Sequence, residues 1–264
     1  MIRNHVTGSA ILESPTLASE QTLTTATFLM PDSKCVIPLE SNPEIFNSLA
    51  HKIGLSPVLE FNDVFSITDP QLLAFLPQPV MALVMLFPLT ESYEQYRKQE
   101  DAKGGHDSSK VIWFKQTIRN GCGLYALLHA MANLPREFII EDSMVNKLLL
   151  LQLSSELLVE EKAKLVESLE QNIQLDDNYG NQGQTTAPDA TESVEFHFIT
   201  YVKGSDGHLY ELDGRRTGPV DLGECDETHI LSDPKLVEKI QFYMNNTDEA
   251  QRNHFALMAL GACM

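Results

Sequence analysis

Cationic residues are scarce in this 264-residue chain: 19 lysines and arginines stand against 37 aspartates and glutamates, a formal net charge of −18. That balance argues against nucleic acid as a partner, because phosphate backbones are bound by basic stripes and none is present. A basic protein partner or substrate fits the charge better. Cysteines number only four, Cys35, Cys122, Cys225 and Cys263. They form no CxxC pair and the histidines do not cluster, so no metal is expected. With no signal peptide, the same four point to a reducing compartment. Long apolar runs are missing too: the longest, residues 79–89, is too short to span a bilayer and reads as a buried strand. No internal repeat divides the chain.

Residues 1–33 are rich in serine and threonine and lack apolar periodicity, which predicts a flexible extension. Residues 34–264 are expected to form one domain. Asn42 as cap and Pro43 at the first helical position predict a helix closed by Gly54. A strand within 58–67, a helical turn at 69–73, a central strand at 80–87 and a charged helix at 91–102 follow. Residues 111–114 read as a strand or extended chain. Two helices are expected at 143–153 and 155–171, the second capped by Ser155. Residues 175–192 have no periodicity, and a loop of that length inside a domain is commonly functional. A strand at 195–201, a turn at 203–207 and a returning strand at 208–213 form a hairpin. A strand near 218–222, a helix at 233–245 and a buried strand at 255–260 complete the reading. Strands and helices mix without strict alternation, which implies an α/β or α+β domain with helices over a central, mostly antiparallel sheet.

Chemistry concentrates at residues 116–133. Leu124, Leu127, Leu128 and Met131 have the spacing of a helix with one buried face. Cys122 falls in its first turn, where free N–H groups and the dipole favour a thiolate. Gln116, six positions upstream, can offer its side-chain amide to an oxyanion beside the sulfur. A lone cysteine in a helix is more often a small buried hydrophobe than a nucleophile, and a second segment changes the balance. His197 in one hairpin strand and Asp213 at the end of the other can supply a base and its orienter. His129 is a rival base by sequence distance, and His208, Asp206 and Asp221 are weaker competitors.

Gln116-Thr-Ile-Arg-Asn-Gly-Cys122-Gly, with His129-Ala-Met-Ala-Asn133 behind it, resembles the active-site signature of the ubiquitin C-terminal hydrolases, peptidase family C12. Residues 38–44, 79–91, 197–201 and 207–215 are similar to further family segments, and the likeness spans roughly residues 36–260. It implies a papain-like α/β/α catalytic domain over 34–264 with a knotted backbone, hydrolysing bonds at the C-terminal glycine of ubiquitin or a close ubiquitin-like protein. Small or unfolded adducts would be released through a thioester. On this resemblance Cys122 is the nucleophile, His197 the general base and acid, Asp213 its orienter and Gln116 the oxyanion donor. Residues 175–192 become a crossover loop above the cleft. Pro38, Leu39, Glu40, Ser41, Asn42 and Pro43, with Asn181 and Phe255, become ubiquitin contacts. No cofactor, nucleic acid or membrane is expected, and the chain is expected to act as a monomer in the cytoplasm, with the nucleus as a second residence. Three departures stand out: a hairpin turn one residue longer than usual, Arg119 and Gly121 beside the cysteine, and His254-Phe-Ala256 near the C-terminus. Two rival readings are a non-catalytic ubiquitin-binding scaffold and a hydrolase of small amides.

Overall fold

Asn42 and Pro43 open helix α1 (Pro43–Ile53) as expected, the Asn42 side chain accepting from the Glu44 N–H at 2.9 Å. Gly54 closes it at φ 128°, a value that β-carbon-bearing residues rarely adopt. The computed structural model describes residues 34–104, 106–153, 157–186, 188–192, 194–225 and 230–263. The expected extension at 1–33 and the expected Ser155 cap lie outside these.

Six strands form one sheet: β1 (Leu59–Asp63), β2 (Ala82–Pro88), β3 (Phe196–Lys203), β4 (His208–Leu212), β5 (Val220–Glu224) and β6 (Ala256–Ala262). Their order is β1-β6-β2-β3-β4-β5, and all neighbours run antiparallel. Alternation along the strands separates two cores. Ala82, Val84, Phe198 and Val202 pack with α1, α4 (Cys122–Ala132), α5 (Met144–Gln152) and α6 (Val159–Ile173). Leu83, Met85, Phe87, Ile199 and Tyr201 pack with Tyr93 of α3 (Glu91–Lys103) and with Leu236, Ile240 and Tyr243 of α7 (Pro234–Asn245). The remaining helix, α2 (Pro70–Leu73), is a single exposed turn.

Helix α4 is buried all round rather than on one face, every residue from Cys122 to Ala132 being covered. The Thr200 hydroxyl donates to the Ala126 carbonyl at 2.8 Å, fixing α4 on β3. In α7, Phe242 is exposed and Val237 half-buried. In α6, Leu158 is exposed, and the Glu161 carboxylate accepts from the Leu158 N–H at 2.8 Å to cap the helix.

Residues 111–114 run extended but join no strand of the sheet. Buried backbone polar groups need partners, and here the side chains of α4 and of its C-cap Asn133 supply them. Asn133 accepts from the Ile112 N–H at 2.8 Å and donates to its carbonyl at 2.9 Å. His129 Nε2 accepts from the Phe114 N–H at 3.0 Å. His129 is therefore a structural acceptor and not the base at the cysteine. Burial pushes its pKa down to about 4 from 6.5. A folded pKa below the unfolded one contributes stability above pH 6.5 that is lost as the pH falls towards 4. Urea midpoints measured between these limits should fall by on the order of 3 kcal/mol of stability from this group, and the fall should vanish in His129→Gln.

Candidate active site

Three catalytic candidates converge at one end of the sheet. Cys122 is the first residue of α4, and Gly121 before it offers no side-chain cap, so the first-turn N–H groups stay available. Gly121 sits at φ −81°, an ordinary backbone value; a β-carbon there would lie 3.2 Å from Ile118. Lack of space, rather than conformational freedom, is what asks for glycine beside the thiol.

Register places His197 opposite Phe87, with the rings edge-on at 5.9 Å on the α3 face of the sheet. The next residue, Phe198, turns to the α4 face. Contact with the sulfur is made at the strand end, where the Phe198 and Gly123 N–H groups and the His197 ring all reach it. His197 Nε2 pairs with Asp213 Oδ1 at 2.7 Å, which leaves Nδ1 for the sulfur.

Asp213 is fully buried and surrounded by donors. Its Oδ1 also accepts from the Arg215 N–H at 2.8 Å, and its Oδ2 accepts from the Tyr93 hydroxyl. The Trp113 indole N–H donates to its carbonyl at 3.0 Å. Burial alone would push the Asp213 carboxyl up. The His197 charge and these hydrogen bonds outweigh it and hold the group well below the usual carboxylate range. Burial would likewise lower His197, but Asp213 raises it to about 9. Burial raises the Cys122 thiol, and the His197 ring more than reverses that, leaving it below its ordinary value. The arrangement shifts the pair towards thiolate and imidazolium, the state from which sulfur attacks a carbonyl.

Gln116 is held by two backbone carbonyls. Its N–H donates to the Gly214 carbonyl at 2.9 Å, and its Nε2 donates to the Ile118 carbonyl at 3.0 Å. The Ile118 carbonyl also accepts from the Gly121 N–H at 3.2 Å. One amide hydrogen of Gln116 is thus left for another acceptor.

Sequence reasoning missed Tyr93. It sits in a helix read only as charged and amphipathic, and nothing nearby marks it; only the fold brings its hydroxyl to Asp213. Tyr93→Phe should cost about 1.5–3 kcal/mol, the value of a hydrogen bond to a buried charge, measured as a lower urea midpoint. An unchanged midpoint would remove Tyr93 from the support of Asp213.

The expected substrate contacts divide. Glu40 accepts from the Gln184 N–H at 3.1 Å, the Thr185 N–H at 2.9 Å and the Thr185 hydroxyl at 2.5 Å. The residue 38–43 segment is thereby tied to the aperiodic 175–192 segment, which begins with a π-helical turn (Asp176–Gly180). The later part of that segment is held by Asn120, whose Nδ2 donates to the Ala190 and Glu192 carbonyls, both at 2.9 Å. Asn181 is exposed just before the first of these anchors, and Pro38 and Pro43 are half-buried. Leu39 is buried, packed where Gly123 has room only for hydrogen. Asn42 serves as the α1 cap. Glu40, Ser41 and Asn42 line a groove with the exposed Phe65, Leu72 and Phe75. Phe255 stacks on Phe87 at 6.3 Å, one ring removed from His197. The rivals do not join the site: His208 pairs with Asp221 at 3.0 Å on the surface, and Asp206 accepts from the Tyr210 hydroxyl at 2.8 Å.

Among the described residues no group of histidine, cysteine or carboxylate side chains could hold a metal. No helix of the described residues is long and apolar enough to cross a membrane.

A family model described as ubiquitin carboxyl-terminal hydrolase, family 1, matches residues 36–245. The Saccharomyces cerevisiae ubiquitin carboxyl-terminal hydrolase YUH1 is 37% identical over 239 residues, covering 87% of this chain and 97% of that protein. Human ubiquitin carboxyl-terminal hydrolase isozyme L1 is 38% identical over 202 residues, covering 76% and 88%. In fold, the chain is similar to the Trichinella spiralis UCH37 catalytic domain solved bound to ubiquitin vinyl methyl ester. That similarity has a TM-score of 0.64 at 21% identity, covering 88% of this chain and 97% of that one.

Proposed function

Since the chain belongs to the ubiquitin carboxyl-terminal hydrolases, family 1, cysteine-type ubiquitin hydrolases of papain-like fold, we propose that Cys122, His197, Asp213 and Gln116 carry its reaction. The observation behind this is the His197–Asp213 pair at 2.7 Å, set against a thiol whose pKa the same imidazole lowers. The Cys122 thiolate attacks the carbonyl carbon of ubiquitin's C-terminal glycine. The oxyanion is met by the Cys122 N–H and the free Gln116 amide hydrogen. His197 gives its proton to the leaving amine, and a thioester remains. Neutral His197 then takes a proton from water, which attacks the thioester; the thiolate leaves and takes the imidazolium as its counter-ion again.

Ubiquitin's tail carries arginines before its Gly-Gly end, and a net charge of −18 suits their approach. The groove beside Ser41, with exposed Phe65 and Phe75, offers apolar surface of the kind protein partners cover. In this reading Pro38, Glu40, Ser41, Asn42, Pro43, Asn181 and Phe255 contact ubiquitin. Leu39 supports that surface from beneath. The 175–192 segment, anchored at Glu40 and Asn120, limits released adducts to small or unfolded ones. The chain acts as a monomer, without nucleic acid or membrane, in the cytoplasm with the nucleus as a second residence.

A fluorogenic ubiquitin C-terminal amide and a short peptide amide with the same last residues test the reading together. Turnover of the first alone is expected. Equal turnover of both would point to a small-amide hydrolase, and binding without turnover to a scaffold. Gln116→Ala should lower kcat by about 10²–10³ with KM little changed; an unchanged kcat would take Gln116 out of the mechanism.

A further inference from the structure

Away from the nucleophile, at the C-terminal end of α4, lies a cleft of about 750 Å³. An 11-residue helix separates the two ends by roughly 16 Å. One wall is the hairpin tip at residues 203–205: the Ser205 N–H and hydroxyl both donate to the Lys110 carbonyl at 3.1 Å. The volume falls in the range of about 300–1,000 Å³ that small-molecule sites occupy.

Its charge runs against the rest of the molecule. In a chain with 37 acids and 19 bases, the described lining holds Lys110, Arg136, Lys162 and Lys203 and no acid. Among the described residues, Lys110, Arg136 and Lys162 make no ion pair. Two helix C-termini, of α4 and α5, reach the cleft and carry about half a negative charge each. They offset roughly one cation and leave the described lining positive. A second observation concerns Gln152, which is 93% buried in the lining yet whose Oε1 has no hydrogen-bond partner. A buried acceptor left unmade is costly, and a donor brought by a ligand would relieve it. Apolar surface from Met81 and Ile112 completes the wall.

We propose that this cleft binds a small phosphate-bearing molecule that also carries hydroxyl groups, a nucleotide or a sugar phosphate. The cations take the phosphates, Gln152 accepts from a hydroxyl, and the apolar wall receives the carbon skeleton.

Trp113, the chain's only tryptophan, lines the cleft, so its fluorescence can report occupancy. The full chain is titrated with ATP, a sugar bisphosphate, inorganic tripolyphosphate and an acidic peptide, with equilibrium dialysis as a second measure of binding. Saturable binding of ATP or the sugar bisphosphate with Kd below about 1 mM is expected, and which binds tighter identifies the source. Arg136→Gln and Lys162→Gln, both far from the reacting groups, should each weaken it about tenfold or more without changing turnover of the ubiquitin amide. Gln152→Leu should weaken the hydroxylated ligands and spare tripolyphosphate. No saturable binding by either method overturns the proposal, as does tripolyphosphate binding as tightly as the hydroxylated ligands. Binding that survives both charge neutralisations overturns it too, and tighter binding of the acidic peptide would make the cleft a protein-docking surface instead.

Discussion

Cys122→Ala should lower turnover of a ubiquitin C-terminal amide by about 10⁴-fold or more, the scale seen when a nucleophile acting with its base is removed. Ubiquitin should still bind with near wild-type affinity, because Cys122 is buried and the expected contact segments lie elsewhere. Fluorescence polarisation with labelled ubiquitin separates the two effects. Folding is not at risk, since alanine suits a buried first-turn position in a helix that is apolar all round. Turnover near the wild-type rate in this variant would remove Cys122 as nucleophile, whatever else in the site survived.

Asp213→Asn carries the second large effect. The amide removes the charge that raises His197 and presents a donor or a neutral acceptor where a carboxylate stood. A loss of about 10⁴ in kcat is expected, by analogy with orienting carboxylates elsewhere. The pH profile gives a sharper test. In the wild type, activity should rise as Cys122 becomes a thiolate and fall as His197 loses its proton near 9. In the variant the alkaline limb should move to lower pH, because imidazolium is no longer favoured. Stability follows the same groups. His197, raised above its unfolded value of 6.5, contributes fully below pH 6.5 and loses its contribution as the pH rises through about 9. Asp213, depressed below 3.8, contributes above that value and loses it as the pH falls through its lower folded pKa. Urea midpoints of wild type and variant should therefore differ most between these limits. An alkaline limb that stays in place would separate Asp213 from the imidazole.

Much of this site was legible because its members announce themselves locally. Asn42-Pro43 reads as a helix start and is one, and Cys122 stands where the loop meets the helix. His197 and Asp213 lie on a hairpin whose turn is plain from its glycines. What stayed hidden depends on pairings across the chain. Tyr93 reaches Asp213 over a separation of 120 residues, and no spacing rule connects them. Residues 111–114 have the composition of a strand, yet side chains of α4 take the place of a partner strand. The Asn120 clasp on Ala190 and Glu192 is similarly silent, since an Asn-Gly pair reads only as a turn. Burial of α4 on every side was also beyond reach, because periodicity describes one helix and not how many neighbours surround it.

Strand β6 has a consequence for how the protein is made. Formed by residues 256–262, it lies between β1 and β2, the first two strands in sequence. During synthesis β2 can pair with β3 while its other edge stays open, and β1 has no neighbour at all until β6 emerges. Reagents that trap unfolded surface on ribosome-bound chains should therefore find the β1 side reactive until residues 256–262 emerge, after the cysteine, histidine and aspartate have left the ribosome.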